Sequence, residues 1–307
     1  MNEKLAYAVA LVLLIAAPFF VYPVLLMKFL CFALFACAFN LILGFGGLLS
    51  FGHAAFFGGA AYITGHAIKV WGLPTELGIL TGAVAAGLLG IGIGVLAIRR
   101  QGIYFAMITL ALAQMCYFFF ISSDFTGGEN GLQGIPRGTL LGMVDLQNNT
   151  AMYYFVLGIF VAAFWLIART VHSPFGQVLR AIRDNEPRAV SLGYDVDRYK
   201  LQAFVLSATL AGLAGATKSV VFQLASLTDA HWHMSGEVVL MTLLGGVGTI
   251  AGPAVGAGVI VALQNLLASG VLAAWVPVVL GVIFVVCVLS FRRGIIGELR
   301  AFLQRSF

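Results

Sequence analysis

Long apolar runs alternate with short polar connections along most of the chain. Runs of roughly 17–25 mainly apolar residues are long enough to cross a bilayer core as helices. The runs that meet or approach that length are Leu5–Tyr22, Val24–Gly44, Gly47–Ile68, Glu76–Ile98, Ile103–Ile121, Ala151–Ala168, Leu201–Val221, Gly236–Ile250, Ala251–Ala268 and Trp275–Phe291. Backbone polar groups in lipid must be satisfied within the segment, so the runs are expected as helices. The pattern predicts an all-α polytopic membrane protein, one domain over residues 1–307 with about ten spans. The eighth run is short, and glycines interrupt both the eighth and the ninth. The first run passes almost directly into the second, which favours a retained span over a cleaved leader.

One connection departs from the pattern. Between Arg169 and Lys200 the chain is polar for about thirty residues, longer than the usual link between packed helices. The stretch "RAIRDNEPRAVSLGYDVDRYKL" holds nine of the 29 formal charges, the 29 being 17 basic plus 12 acidic. Both signs are present, whereas a loop serving only membrane orientation needs no acids. Pro174 and Gly176 mark a turn. "DNEPRAVSLG" then predicts a short helix, capped by Asp184 or Asn185, with Pro187 in its first turn and Gly193 at its end. Ala189 and Leu192, at i and i+3, give it a small apolar patch, and Glu186 and Arg188 stand on its charged rim. A solvated basic loop is the simpler reading; a docking element is the sharper one.

Composition sets the class. The chain is 61% hydrophobic and 9% charged, whereas soluble domains are about 45–50% apolar and about 25% charged. Its net charge of +5 matters less than where the basic residues lie. With the N-terminus inside, 13 of the 17 Lys and Arg fall on the inner side, and four (Lys28, Lys69, Arg137, Lys218) on or toward the outer. The positive-inside rule then places both termini and the charged loop in the cytoplasm, and residues 122–150 outside. The basic residues follow sidedness, so lipid is expected as a partner and nucleic acid is not. All four cysteines fall within apolar runs and read as buried small side chains.

Chemistry is sparse. "GLAGATKS" is the nearest approach to a phosphate loop, but Thr217 stands where glycine is required and no strand precedes it. H-E-x-x-H and G-x-S-x-G are absent. His231 and His233 have a spacing that suits no helical metal site. No catalytic residue, metal or cofactor is therefore expected in this chain. Ion-coupled carriers usually place ionisable groups within their spans; of the acids only Glu237 lies inside a run, with Glu76 at a boundary. His53 and His66 are the intramembrane histidines. Asn40, His53, Thr109 and Gln114 are polar groups that lipid would penalise, so each either lines a route or hydrogen-bonds another helix. Two glycine-rich breaks, "FGGLLSFGHAAFFGGA" and "LGGVGTIAGPAVGAGV", resemble each other. A structural repeat and chance matches among abundant Gly and Ala both explain that. Helix ends at such breaks offer free N–H groups to a carboxylate.

A pathway without a motor points to partners, and the residues carry a resemblance. "LSFGHAAFFGGAAY", "GIYFAMITLALAQM", "TGGENGLQGIP", "SPFGQVLRAIRDNEPRAVSLGYDV", "FVLSATLAGLAGA" and "GEVVLMTLLGGVGTIAGPAVGA" resemble the LivM-type permease of bacterial high-affinity branched-chain amino acid importers, over roughly Asn40 to Glu298. Ala189 and Gly193 match the end of the loop motif that ABC importer permeases set against their ATPases, without the opening Glu-Ala-Ala of its fuller form. The resemblance implies a bacterial inner-membrane permease subunit paired with a related LivH-type permease. Two cytoplasmic ATPases would carry ATP, and a periplasmic amino-acid-binding protein would deliver leucine, isoleucine or valine. It implies that Glu186, Arg188, Ala189, Leu192 and Gly193 contact an ATPase. The rivals are an autonomous ion-coupled amino acid carrier and a passive channel.

Overall fold

A computed structural model of the chain describes residues 3–140, 142, 144–268, 278, 279, 281–283, 285, 286 and 294–298. Its regular structure among the described residues is helical apart from four two-residue strands. Helices α1 (Glu3–Ala16) and α2 (Pro23–Asn40) are joined by a 3₁₀ turn, and α2 continues through a π-helical turn, Leu41–Phe45. Helices α3 (His53–Lys69), α4 (Thr75–Ala97) and α5 (Ile103–Ser122) follow. An extramembrane segment then carries β1 (Leu132–Gln133), β2 (Thr139–Leu140) and β3 (Val144–Asp145). Helix α6 (Asn149–His172) leads into α7 (Pro174–Asp184) and α8 (Glu186–Ser191), and α9 (Val196–Phe222) returns. β4 (Leu224–Ala225), α10 (Leu227–Ala230), α11 (Trp232–Gly245) and α12 (Gly252–Ala268) complete the described elements.

Among the described residues five spans are long and apolar enough to cross a bilayer: Pro23–Phe45, Thr75–Ala97, Ile103–Ser122, Asn149–His172 and Val196–Phe222. The other expected spans are shorter, and the last, Trp275–Phe291, lies largely outside the described residues. Two are short for a structural reason. The run expected to begin at Gly47 enters as non-helical backbone, and α3 starts only at His53, inside the protein. The run expected from Gly236 is preceded by α10, which is folded into the body rather than lying in an outer loop; Ala230 and Asp229 are buried. A Cβ on Gly58 would collide with Ala230, so α3 and α10 touch at backbone distance. Irregular backbone at this depth is tolerated because protein, not lipid, surrounds it.

Helix α9 is central and packs against α2, α3 and α4, while α11 and α12 close on the other side of α2. Small residues set the spacing. A Cβ on Gly215 of α9 would strike the Phe57 backbone, and one on Gly256 of α12 would strike the Met241 carbonyl. Without a hydrophobic drive between helices in lipid, such close approach is what holds them. The outer faces of α4 and α5 leave Leu80, Leu88, Met107, Met115 and Phe118 exposed, as a lipid- or partner-facing surface requires.

Two faces close the bundle. One carries α7, α8 and the ends of α6 and α9 with their charges, and is called the charged face below. On the other, the extramembrane segment is clasped to the body. β1 pairs with β4, Lys69 donates to the Gln133 carbonyl at 2.6 Å, and Arg137 donates to the Val221 carbonyl at 2.6 Å and to Asn149 Oδ1 at 2.8 Å.

Candidate functional site

The charged loop folds as a two-helix elbow, where sequence reasoning expected one short helix. Ser173 caps α7 by accepting from the Gly176 N–H at 3.4 Å, and Pro174 occupies its first turn. Along α7 the apolar residues recur at helical spacing: Leu179 and Ile182 are buried, and the Phe175 ring stacks on Tyr199 at 5.5 Å. Asn185, not Asp184, caps α8, accepting from the Arg188 N–H at 3.0 Å. Gly193 ends it with φ of +86° in open space, so its requirement is one of backbone conformation rather than room. Asp195 then caps α9.

Three bonds pin the elbow to the bundle. Glu186 accepts from Lys200 Nζ at 2.7 Å and from Gln101 Nε2 at 2.8 Å. Arg183 donates to the Gly44 carbonyl and pairs with Asp184. A cleft of about 410 Å³ remains between the elbow and the re-entrant turn at Gly46–Leu48.

The predicted docking patch is placed differently from expectation. Ala189 is turned inward and packs with Ile182 and Val196. The helix has only six residues, and its last turn loosens at Leu192, so Ala189 and Leu192 do not share a face. The exposed apolar residues are Val190 at 57% and Leu192 at 71%, beside Tyr194 at 40%. Arg188 is exposed at the rim.

The four polar candidates within the membrane are not equivalent. Asn40 donates from Nδ2 to the Thr249 carbonyl at 2.8 Å and accepts the Gly248 N–H on Oδ1 at 3.0 Å. It thereby staples the end of α2 to the second glycine-rich break, and both lie toward the charged face. Thr109 Oγ1 accepts the Phe51 N–H at 3.2 Å, holding the extended segment ahead of α3. His53 is fully buried, with its Nε2 2.8 Å from Ser207 Oγ. Because Ser207 gives its proton to the Ala38 carbonyl at 2.6 Å, Nε2 carries the proton and donates. Nδ1 faces no polar partner, and Phe39, Phe56 and Phe204 surround the ring. Gln114 stands apart on α5, partly buried, with Oε1 shielded and unpartnered. Thr109 and His53 thus secure the re-entrant segment, and Asn40 secures the chain between α11 and α12.

Sequence reasoning missed the partners that complete this core. Ser235, at the start of α11, accepts the Ala54 N–H at 2.9 Å and so satisfies the first turn of α3. Lys218 pairs with Asp229 deep between α9 and α10, and Lys218 also lies over the Phe32 and Phe57 rings at 5.5 and 5.6 Å. Glu237 accepts from Gln264 Nε2 at 2.8 Å. A lysine inside an apolar helix demands an anion, which was the available signal for Asp229. Among the described residues no cluster of His, Cys, Asp or Glu could hold a metal ion.

Comparison with known proteins agrees with this architecture. A family described as "Branched-chain amino acid transport system / permease component" matches residues 23–288. The chain is 29% identical over 190 residues to the high-affinity branched-chain amino acid transport system permease protein LivM of Escherichia coli K12, covering 54% of this chain and 44% of that protein. Its similarity to LivM of Salmonella typhimurium is 28% over 200 residues, covering 56% and 47%. The autoinducer 2 import system permease protein LsrC of Klebsiella pneumoniae is 27% identical over 205 residues, covering 65% and 55%. The chain therefore spans about half the length of the curated relatives it matches. No solved structure matches. With a family match over most of its length and a helical, multi-pass architecture, the chain belongs to the permease-component family of branched-chain amino acid transport systems.

Proposed function

We propose that this chain forms half of the translocation pathway of an ATP-driven importer for branched-chain amino acids. In this reading the charged face is cytoplasmic and the elbow of α7 and α8 seats against an ATPase. The second half of the pathway is a related LivH-type permease, and a periplasmic binding protein selects leucine, isoleucine or valine. The observation that carries the reading is the elbow. Its inner side is pinned by Glu186, Lys200, Gln101 and Arg183, while Val190 and Leu192 stand outward. A short helix fixed at its base transmits displacement to α6 and α9, between which it lies.

The pathway itself would run along exposed α5, near Gln114, rather than through the spent polar groups at Asn40, His53 and Thr109. The match to LsrC, which covers more of this chain than the LivM matches do, supports a second substrate reading, an autoinducer 2-type molecule. The buried acids do not favour an ion-coupled carrier: Asp229 is neutralised by Lys218 and Glu237 is bound by Gln264.

Reconstitution with the partner subunits tests this. Leucine uptake should need ATP and survive collapse of the proton gradient. Uptake abolished by an ionophore while ATP is maintained would mean ion coupling. Competition by autoinducer 2 but not by isoleucine or valine would move the substrate to the second reading.

A further inference from the structure

Beside the elbow, away from its outward patch, three cavities run together. The largest, about 580 Å³, is a trough between α1, α6 and α12 with a side wall from Phe29 of α2. Leu11, Leu14, Phe164 and Val255 are typical of its lining, and Tyr7 and Trp165 bring the polar side-chain atoms to it. Tyr7 also forms part of a second pocket of about 300 Å³, which has the opposite character. That pocket is walled by Phe45, His172, Arg180, Arg183 and Thr249. A third hollow, about 530 Å³, shares Trp165 and Ala168 with the trough and His172 with the polar pocket, and adds Arg169. An apolar trough of several hundred cubic ångströms thus opens at one end into a basic rim, where α6 leaves the bundle.

Among the described residues no acidic side chain lines this rim. Arg183 is occupied by Asp184 and the Gly44 carbonyl. Arg180 is not so satisfied. Its guanidinium lies 5.1 Å over the Phe45 ring, Nη2 reaches the Val171 carbonyl only at 3.5 Å, and Nε is shielded with no partner. None of the ion pairs among the described residues includes Arg180, Arg169 or His172. His172 spends Nδ1 on the Ala168 carbonyl at 2.7 Å, which leaves Nε2 for another group. A buried guanidinium nitrogen without a partner is costly, and a planar fork of donors matches a phosphate. The trough cannot be filled favourably by water, while hydrocarbon suits it.

We propose that this composite site binds an anionic phospholipid, with one acyl chain in the trough and the phosphate at Arg180. Basic pockets between helices at a membrane surface are the known chemistry for such headgroups. The inference is independent of which substrate is transported. It gives Arg180 a ligand, whereas its place among inner-side charges alone would make it only an orientation signal. It also places a lipid against α6 and α7, where occupancy stiffens the elbow.

The test uses the full chain purified in mild detergent. Phosphatidylglycerol added to the protein should raise the unfolding midpoint by several degrees, and phosphatidylcholine or inorganic phosphate should not. Native mass spectrometry should find bound phosphatidylglycerol in the parent and at least fivefold less in Arg180→Gln. Val255→Trp, which fills the trough without touching the rim, should lose the lipid equally. A photo-reactive residue at Leu11 should form an adduct with lipid in native membranes. An equal response to inorganic phosphate would reduce the site to a free-anion pocket, and equal binding of phosphatidylcholine would remove the role of charge. A peptide adduct from a partner permease or from this chain, or no lipid adduct at all, would overturn the proposal.

Discussion

Two ion pairs among the described residues sit in contrasting places. Lys218 and Asp229 meet inside the bundle, with side-chain exposures of 16% and 5%. Arg198 and Asp195 meet on the elbow at 81% and 51%. The covalent chemistry is similar, and the surroundings decide what each pair does. In the body, charges removed from water are tolerable only together, so the pair fixes α10 against α9 and keeps the re-entrant chain in place. On the elbow, water screens the charges and the pair merely decorates a cap. Lys200 and Glu186 fall between, at 3% and 26%. They join the two regimes at the point where α8 is tied to the membrane body.

This gradient is breakable by substitution. The largest effect is expected at Asp229→Ala, which strands Lys218 among Phe32, Phe57 and Phe222. A loss of roughly 3–5 kcal/mol is expected from removing one partner of a buried pair, read as a lowered unfolding midpoint of the purified chain. Replacing both residues, Lys218→Met with Asp229→Leu, should recover most of it. A stable single variant would mean that the pair is solvated and the contrast is false.

Lys200→Ala comes next. It leaves Glu186 partly buried with only Gln101, at a cost of about 1–3 kcal/mol. The measurable sign is faster hydrogen exchange in α8 with the rest of the bundle unchanged. Exchange that rises equally throughout would show that the bond supports the fold rather than the elbow.

Gly193→Val and Ala189→Asp follow. Valine at φ of +86° is strained, and a carboxylate at the buried Ala189 site lacks a partner. With partners reconstituted, each should lower substrate-stimulated ATP hydrolysis and uptake together by about tenfold, equivalent to ~1.4 kcal/mol, while membrane insertion persists. Leu192→Asp separates the two roles of α8, because that side chain is outside the packing: it should uncouple without altering stability. Normal coupling in all three would reduce the elbow to a topology signal. The smallest effect is expected at Arg198→Ala, under about 0.5 kcal/mol; a large one would mean that the exposed pair is covered in the assembly.

Much of this was legible from residues alone because it is local. Apolar runs announce helices, since lipid offers the backbone no partners. A cap at Asp184 or Asn185 and the stop at Gly193 follow from side-chain reach and from glycine's freedom at positive φ. The motifs around Gly52, Gly127 and Gly245 carried the family resemblance, and the family match covers that stretch. Tertiary structure decided what depends on partners far away in sequence. Hydropathy reads Gly47–Ile68 as one span because its composition is uniform. The chain nevertheless enters unwound, because Thr109 and Ser235 satisfy backbone N–H groups that a continuous helix would have bonded itself. Asp229 looked like a loop residue because its neutralising charge lies eleven positions away, on another helix. Ala189 faces inward because Ile182 and Val196 supply its pocket. Sequence therefore determined which segments are helical and where the charges gather. Three-dimensional packing determined which helices stop midway, which charges are buried and which side of α8 faces outward, because each of those depends on a contact that no local pattern encodes.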